Sequence, residues 1–173
     1  MEIKKSFFRP KARIVAKELI GKILSYKNLS GIITETEAYE NDEASHAFRR
    51  TERSALMHDS HGKLYIYFIY GNYYCLNITT YDKGPGAVLI RGLKPLEGIS
   101  IMKRRRNCDD TDNLLNGPGK ICQAFNIDKK LNGSLVNDKI KVLDNNIKLK
   151  IEKGPRIGIK KSQHLKWRFF VKE

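Results

Sequence analysis

Two glutamates stand two residues apart beside a tyrosine in ITETEAY, residues 33–39. In an extended strand successive side chains alternate faces, so Ile33, Glu35, Glu37 and Tyr39 fall on one face. Ile32, Thr34, Thr36 and Ala38 fall on the other. On a solvated face the two carboxylates are ordinary surface charge; on a face turned toward a cleft, either is a candidate general base. A second polar group sits in an apolar strand pattern, GAVLIRGL at 86–93. There Arg91 is in register with Ala87, Leu89 and Leu93. A guanidinium drawn inward keeps its charge and requires a carboxylate or phosphate partner. Glu35 or Glu37 could supply it, and so could a bound phosphate.

Aromatic hydroxyls are concentrated elsewhere. LYIYFIYGNYYCLNI, residues 64–78, carries five of the eight tyrosines and no charge. Two β-rich runs, 64–70 and 73–79, flank Gly71-Asn72, which reads as a two-residue hairpin turn. That turn pairs Tyr70 with Tyr73 at the tip. Tyr65 and Tyr67 lie opposite Leu64, Ile66 and Phe68. Cross-strand packing accounts for such rings, but exposed aromatic faces also stack on bases, at roughly 1–3 kcal/mol each in single-strand binders. His58 and His61 are three residues apart without a third ligand at a metal-site spacing, so no metal is expected. His46 is notable for following the glutamates closely.

The elements that position these groups are mixed. Pro10 introduces a helix with Ala12, Val15, Ala16 and Leu19 on one stripe and Gly21 as its stop. Strands are read at 31–40 and 86–93, a short basic helix at 96–106, a polar loop at 107–119 and a helix from Lys120. Short strands complete the C-terminal part. Without regular βαβ spacing, this predicts an α+β fold in one domain spanning 1–173. A curved, mostly antiparallel sheet would form its core, with surrounding helices and a protruding hairpin.

The chain has 173 residues and a formal net charge of +14. That excess argues for a polyanionic partner, nucleic acid before an anionic membrane. The uncharged run 64–81 is interrupted by Gly71 and Asn72 and studded with Tyr and Asn, so a membrane span is rejected. Cys75, Cys108 and Cys122 form neither a disulfide framework nor a zinc ribbon and fit a reducing cytoplasm.

Taken together and in order, FFRPKARIVAKELIGKIL, ITETEAY, EASHAF, KLYIYFIYGNYYCLN, AVLIRGLKPLEG, GPGKICQAF and PRIGI resemble the alkyladenine (3-methyladenine) DNA glycosylases of the mammalian type, found also in bacteria. The resemblance covers nearly the whole chain. It implies a monofunctional enzyme that flips a damaged purine out of double-stranded DNA and hydrolyses its glycosidic bond. An abasic site would remain, with no metal, no cofactor and no lysine Schiff base. Glu37 would activate water, and Arg91 would support it and the flipped nucleotide's phosphate. Tyr39, His46 and Tyr67 would enclose the base, with Asn77 in the wall excluding guanine. Tyr70, with Asn72 beside it, would wedge into the minor groove. Tyr73 would support the tip and, with Arg53 and Lys120, contact the backbone.

Two positions depart from the family pattern: Ser54 stands where an asparagine is common, and Asn72 where mammalian relatives carry methionine. A monomer is expected. Two other readings compete: a basic RNA- or single-strand-binding module that stacks bases without catalysis, and a metal nuclease using Glu35 and Glu37.

Overall fold

The computed structural model describes residues 1–172. Among them, helices α1 (Ala12–Leu19), α2 (Ala55–Asp59), α3 (Ile99–Arg106) and α4 (Pro118–Phe125) surround one curled sheet. Its strands are β1 (Ile23–Tyr26), β2 (Leu29–Tyr39), β3 (Leu64–Ile69), β4 (Tyr73–Tyr81), β5 (Pro85–Glu97), β6 (Ile140–Leu143), β7 (Ile151–Gly154) and β8 (Arg168–Val171). The order is β3-β4-β5-β2-β1-β6, and β8 joins β2 to β7. Every pairing is antiparallel. The α+β architecture is as the sequence predicts.

Helix α1 buries the expected stripe of Ala12, Val15, Ala16 and Leu19, and Gly21 ends it with φ +88°. These residues enter the main core with Ile33, Ala38, Val88 and Ile90 from the sheet and Ile121 and Phe125 from α4. A smaller cluster of Ala47, Met57, Tyr65 and Ala87 underlies Tyr39 and Tyr67. The sheet thus has apolar packing on both faces, and the second cluster supports the functional groups.

Strand β2 organises the molecule. One edge pairs with β5 along its length, while the other is shared by β1 at Leu29–Ile32 and β8 at Glu35–Glu37. The β2–β5 register slips between Ile33 and Glu35 and slips back between Glu35 and Thr36. These bulges leave Thr34 and Arg91 without cross-strand partners, and a bulge re-aims its side chains. Strict alternation is therefore broken. Ile33 lies in the main core and does not share a face with Glu35 and Glu37, and Leu93 likewise turns into the core, away from Arg91. Thr36, fully buried, donates its hydroxyl to the Ala16 carbonyl of α1 at 2.8 Å.

The hairpin also differs in its turn. Ile69, not Tyr70, pairs with Tyr73, so the loop has three residues, Tyr70, Gly71 and Asn72. Tyr70 and Gly71 have φ +52° and +69°, and the Asn72 N–H donates to the Ile69 carbonyl. A left-handed conformation costs a side-chain-bearing residue about 1–2 kcal/mol. Gly71-Asn72 marks the turn correctly, but the extra residue lets Tyr70 stand clear of the ladder.

The basic helix begins at Ile99, because residues up to Glu97 still belong to β5. Gly98 makes the switch with φ +76°, where a Cβ would lie 2.3 Å from Leu29 Cδ2. Helix α4 starts at Pro118, two residues before the expected Lys120, as suits proline in a first turn. Strand β1 and helix α2, of four and five residues, are too short to impose a clear period on the sequence.

Candidate active site

Glu37 is the centre of the arrangement. Its side chain is fully buried, an unusual position for a carboxylate. Three groups surround it. The Tyr39 hydroxyl donates to Oε2 at 2.8 Å and the Ile157 backbone N–H to Oε1 at 2.6 Å. Arg91 Nε lies 3.6 Å from Oε1. Burial pushes the Glu37 carboxyl above its ordinary value; Arg91, the Ile157 amide and the Tyr39 hydroxyl pull the other way and only partly offset it. A carboxylic acid poised upward in this way is suited to accept a proton near neutrality.

The three residues that hold Glu37 (Tyr39, Arg91 and Ile157) line a cleft of about 580 Å³ whose walls also include His46, Tyr65, Tyr67 and Asn77, with Glu37 itself behind that wall. This volume is typical of sites that enclose a small ligand. The rings are held in fixed relations. The His46 ring meets Tyr67 edge-on at 4.8 Å between centroids, and its Nδ1 lies 2.9 Å from the Tyr65 hydroxyl. Burial, with the nearby Arg53 charge, lowers the His46 pKa, so the imidazole is neutral at pH 7. Burial drives the Tyr39 and Tyr67 phenols far above their ordinary range. The cleft therefore offers neutral rings. Asn77 donates its amide to the Tyr65 carbonyl at 3.1 Å, which fixes the head group in the wall.

The cleft runs to the hairpin tip, since Tyr70 and Tyr73 also line it. Tyr70 is 81% exposed, the most protruding of the large rings, and Asn72 is exposed beside it. Tyr73 sits at the base of the loop, half-exposed. Its ring packs on Gly119, where a Cβ would lie 3.0 Å from Tyr73 Cδ1. This contact ties the hairpin to the start of α4. Lys120, on the rim, is held by the side chains of Asn113 and Asn116. Arg53 lies outside the cleft, donating to the Phe68 carbonyl at 3.3 Å with its guanidinium 5.2 Å from the Tyr67 ring centroid. Ser54 does not face outward: it is buried and its hydroxyl donates to the Arg49 carbonyl, so it shapes the turn that places Arg53.

The structure brings Glu37, Tyr39, His46, Tyr67, Asn77 and Arg91 to one place, with Tyr70, Asn72 and Tyr73 at its mouth. Sequence reasoning missed its supports. Arg156 forms a two-point ion pair with Asp42 (2.7 and 3.1 Å) and donates to the Ala38 carbonyl. Its guanidinium lies between the rings of Tyr39 (4.7 Å) and Trp167 (5.3 Å). The next residue, Ile157, supplies the amide on Glu37. Arg156 sits in the PRIGI motif, and the signal was a guanidinium between proline and apolar residues. Tyr65, which alternation alone places on the strand without a role, anchors His46. The other acid, Glu35, faces two arginines, with Oε1 3.4 Å from Arg91 Nε and 3.1 Å from Arg168 Nε. Two positive charges on this acid pair disfavour a metal cation there, and among the described residues no three or more His, Cys, Asp or Glu side chains converge as a metal shell.

Comparison with known proteins agrees with this geometry. Residues 6–173 match the family of methylpurine-DNA glycosylase. A protein of Prosthecochloris aestuarii is 42% identical over 98% of this chain and 87% of its own length. One of Rhizobium etli is 44% identical over 96% of this chain and 84% of its own. One of Clostridium novyi is 41% identical over 92% and 89%. All three are named, provisionally, 3-methyladenine DNA glycosylases.

Proposed function

The chain belongs to the methylpurine-DNA glycosylase family, and from that premise we propose that it excises 3-methyladenine and related alkylated purines from duplex DNA by base flipping. The observation that carries the reading is the buried Glu37 behind a cleft of neutral rings that ends at an exposed tyrosine. A base within a duplex is out of reach of any side chain, so it must be extruded, at a few kcal/mol. Tyr70 is suited to offset part of that as a planar wedge at the vacated step.

The chemical step then needs little. An alkylated purine such as 3-methyladenine is cationic and already a good leaving group. Its glycosidic bond breaks with the electron pair passing to the base, and charge develops on the sugar as in glycoside hydrolysis. Glu37 takes a proton from water while the water oxygen bonds to C1′, giving free base and an abasic site. The Arg91 guanidinium balances the Glu37 charge from the cleft wall and can reach a nucleotide phosphate. The electron-rich faces of Tyr39 and Tyr67 attract a cationic base by about 0.5–2 kcal/mol. Deaminated purines form a second, neutral lesion class for the same cleft. The free cysteines support action in a reducing cytoplasm, and the enzyme acts as a monomer.

Incubating the protein with methylated duplex and assaying free 3-methyladenine tests this directly. A stacking-only nucleic-acid module would release none, and a metal nuclease would cut the strand and stop with a chelator. Tyr70→Ala should weaken binding to lesion-bearing duplex roughly tenfold, the loss of one stacked ring. Nonspecific duplex binding, dominated by phosphate contacts, should change far less. Competition binding with both duplexes checks this, and equal losses would remove the wedge role.

A further inference from the structure

Glu35 and Glu37 lie on one strand, flanked by an arginine from each neighbour: Arg91 from β5 and Arg168 from β8. Arg91 Nε stands between the two acids, 3.4 Å from Glu35 Oε1 and 3.6 Å from Glu37 Oε1. Arg168 Nε approaches the same Glu35 oxygen more closely, at 3.1 Å, and its guanidinium rests 4.5 Å from the Phe170 ring centroid. None of these contacts has hydrogen-bond alignment; Glu35 Oε1, Arg91 Nε and Arg168 Nε are buried without such a partner. The four groups are therefore held by charge balance, two negative against two positive. In such a cluster Arg91 can be drawn toward either acid.

We infer that Arg168 is a positioning residue for base excision: by neutralising Glu35 it leaves Arg91 to Glu37 and the substrate. This rests on the reading of Glu37 as the general base. Without Arg168, Arg91 becomes the only arginine beside both acids, and an uncompensated negative charge stands two residues from Glu37. The other charged or titratable groups around Glu37 are Tyr39 on the same strand, Arg156 behind Tyr39, and Tyr67 and Cys75 on the hairpin. Arg156 is committed to Asp42, and the phenols and thiol are neutral near pH 7 because burial raises them. The balance on Glu37 is thus decided by Glu35, Arg91 and Arg168.

Single-turnover release of a cationic methylated purine, followed against pH, isolates the ionisation of Glu37. Loss of a nearby positive charge raises a carboxyl pKa, so Arg168→Gln should move the acid limb upward by about one pH unit. On that limb the rate falls about tenfold at fixed pH. Arg168→Lys should restore the limb, and so should Glu35→Gln added to Arg168→Gln, because both return the charge balance. Glu35→Gln alone should move the limb down, which keeps the test open if Arg168→Gln fails to fold. An unmoved acid limb in Arg168→Gln, or in Glu35→Gln should the former not fold, overturns the inference, as does a double variant that stays shifted. Glu37→Gln run in parallel separates the two readings: if it releases base, the general-base reading fails. If it is inert while the limb stays unmoved, only the role of Arg168 fails.

Discussion

Glu37→Gln is expected to lower single-turnover base release by about 10²–10⁴-fold, the span that general-base catalysis contributes. Glutamine has the same shape but cannot accept the proton from water. Its carbonyl can still receive one of the two hydrogen bonds that Tyr39 and Ile157 give the carboxylate. Affinity for lesion-bearing duplex should stay near wild type, because the cleft rings and the Tyr70 tip are untouched. The folded-state pKa of Glu37 lies above the ordinary carboxylate value, which makes the native state bind more protons than the unfolded one. The sign follows: stability falls as pH rises from the unfolded pKa through the folded one. The ionised acid is therefore a burden to the fold at pH 7, and the glutamine variant should melt no lower than wild type. A gel-shift assay, a melting curve and a release assay check the three expectations. Wild-type release by the variant would remove Glu37 from the mechanism. For the wild-type enzyme, release of a cationic base should rise with pH and reach half its plateau above the ordinary glutamate value of about 4.3.

Asp42→Ala should produce the largest loss of stability, roughly 3–5 kcal/mol, by leaving a buried guanidinium uncompensated. The Arg156 side chain is inaccessible to solvent and that of Asp42 nearly so. For a chain of this size the loss corresponds to a melting point roughly 10 °C lower. The effect should reach the chemistry as well. Arg156 holds the rings of Tyr39 and Trp167 and precedes the residue whose amide binds Glu37. The rate of release should fall even at temperatures where the variant is folded. Thermal melts followed by two probes, with release measured well below the transition, check both parts. A melting point within a degree of wild type would place the pair among weak surface contacts.

Much of the site was legible from residue type and local spacing. The α1 stripe, the glutamate strand, the tyrosine hairpin and the inward Arg91 each rest on short-range periodicity, which the chain carries in itself. Alternation correctly put Glu35, Glu37 and Tyr39 on one face because the register shift after Glu35 places its extra residue, Arg91, on β5 and leaves β2 itself regular from Glu35 onward. It failed for Ile33 and Leu93 because a bulge is a property of two strands and leaves no mark in either alone. The three-residue tip escaped for the same reason, since register is decided by the pairing of Ile69 with Tyr73.

What the sequence determined by itself was the inventory: a strand bearing two acids, a hairpin rich in neutral rings, an excess of positive charge and the motifs of one family. Only the tertiary structure decided which acid is buried, and it did so with residues more than a hundred positions away. Ile157 closes over Glu37, Arg156 braces Tyr39, and Arg168 meets Glu35. The reason is physical: burial and electrostatic balance depend on what the rest of the chain places around a carboxylate, and no local pattern encodes that distance.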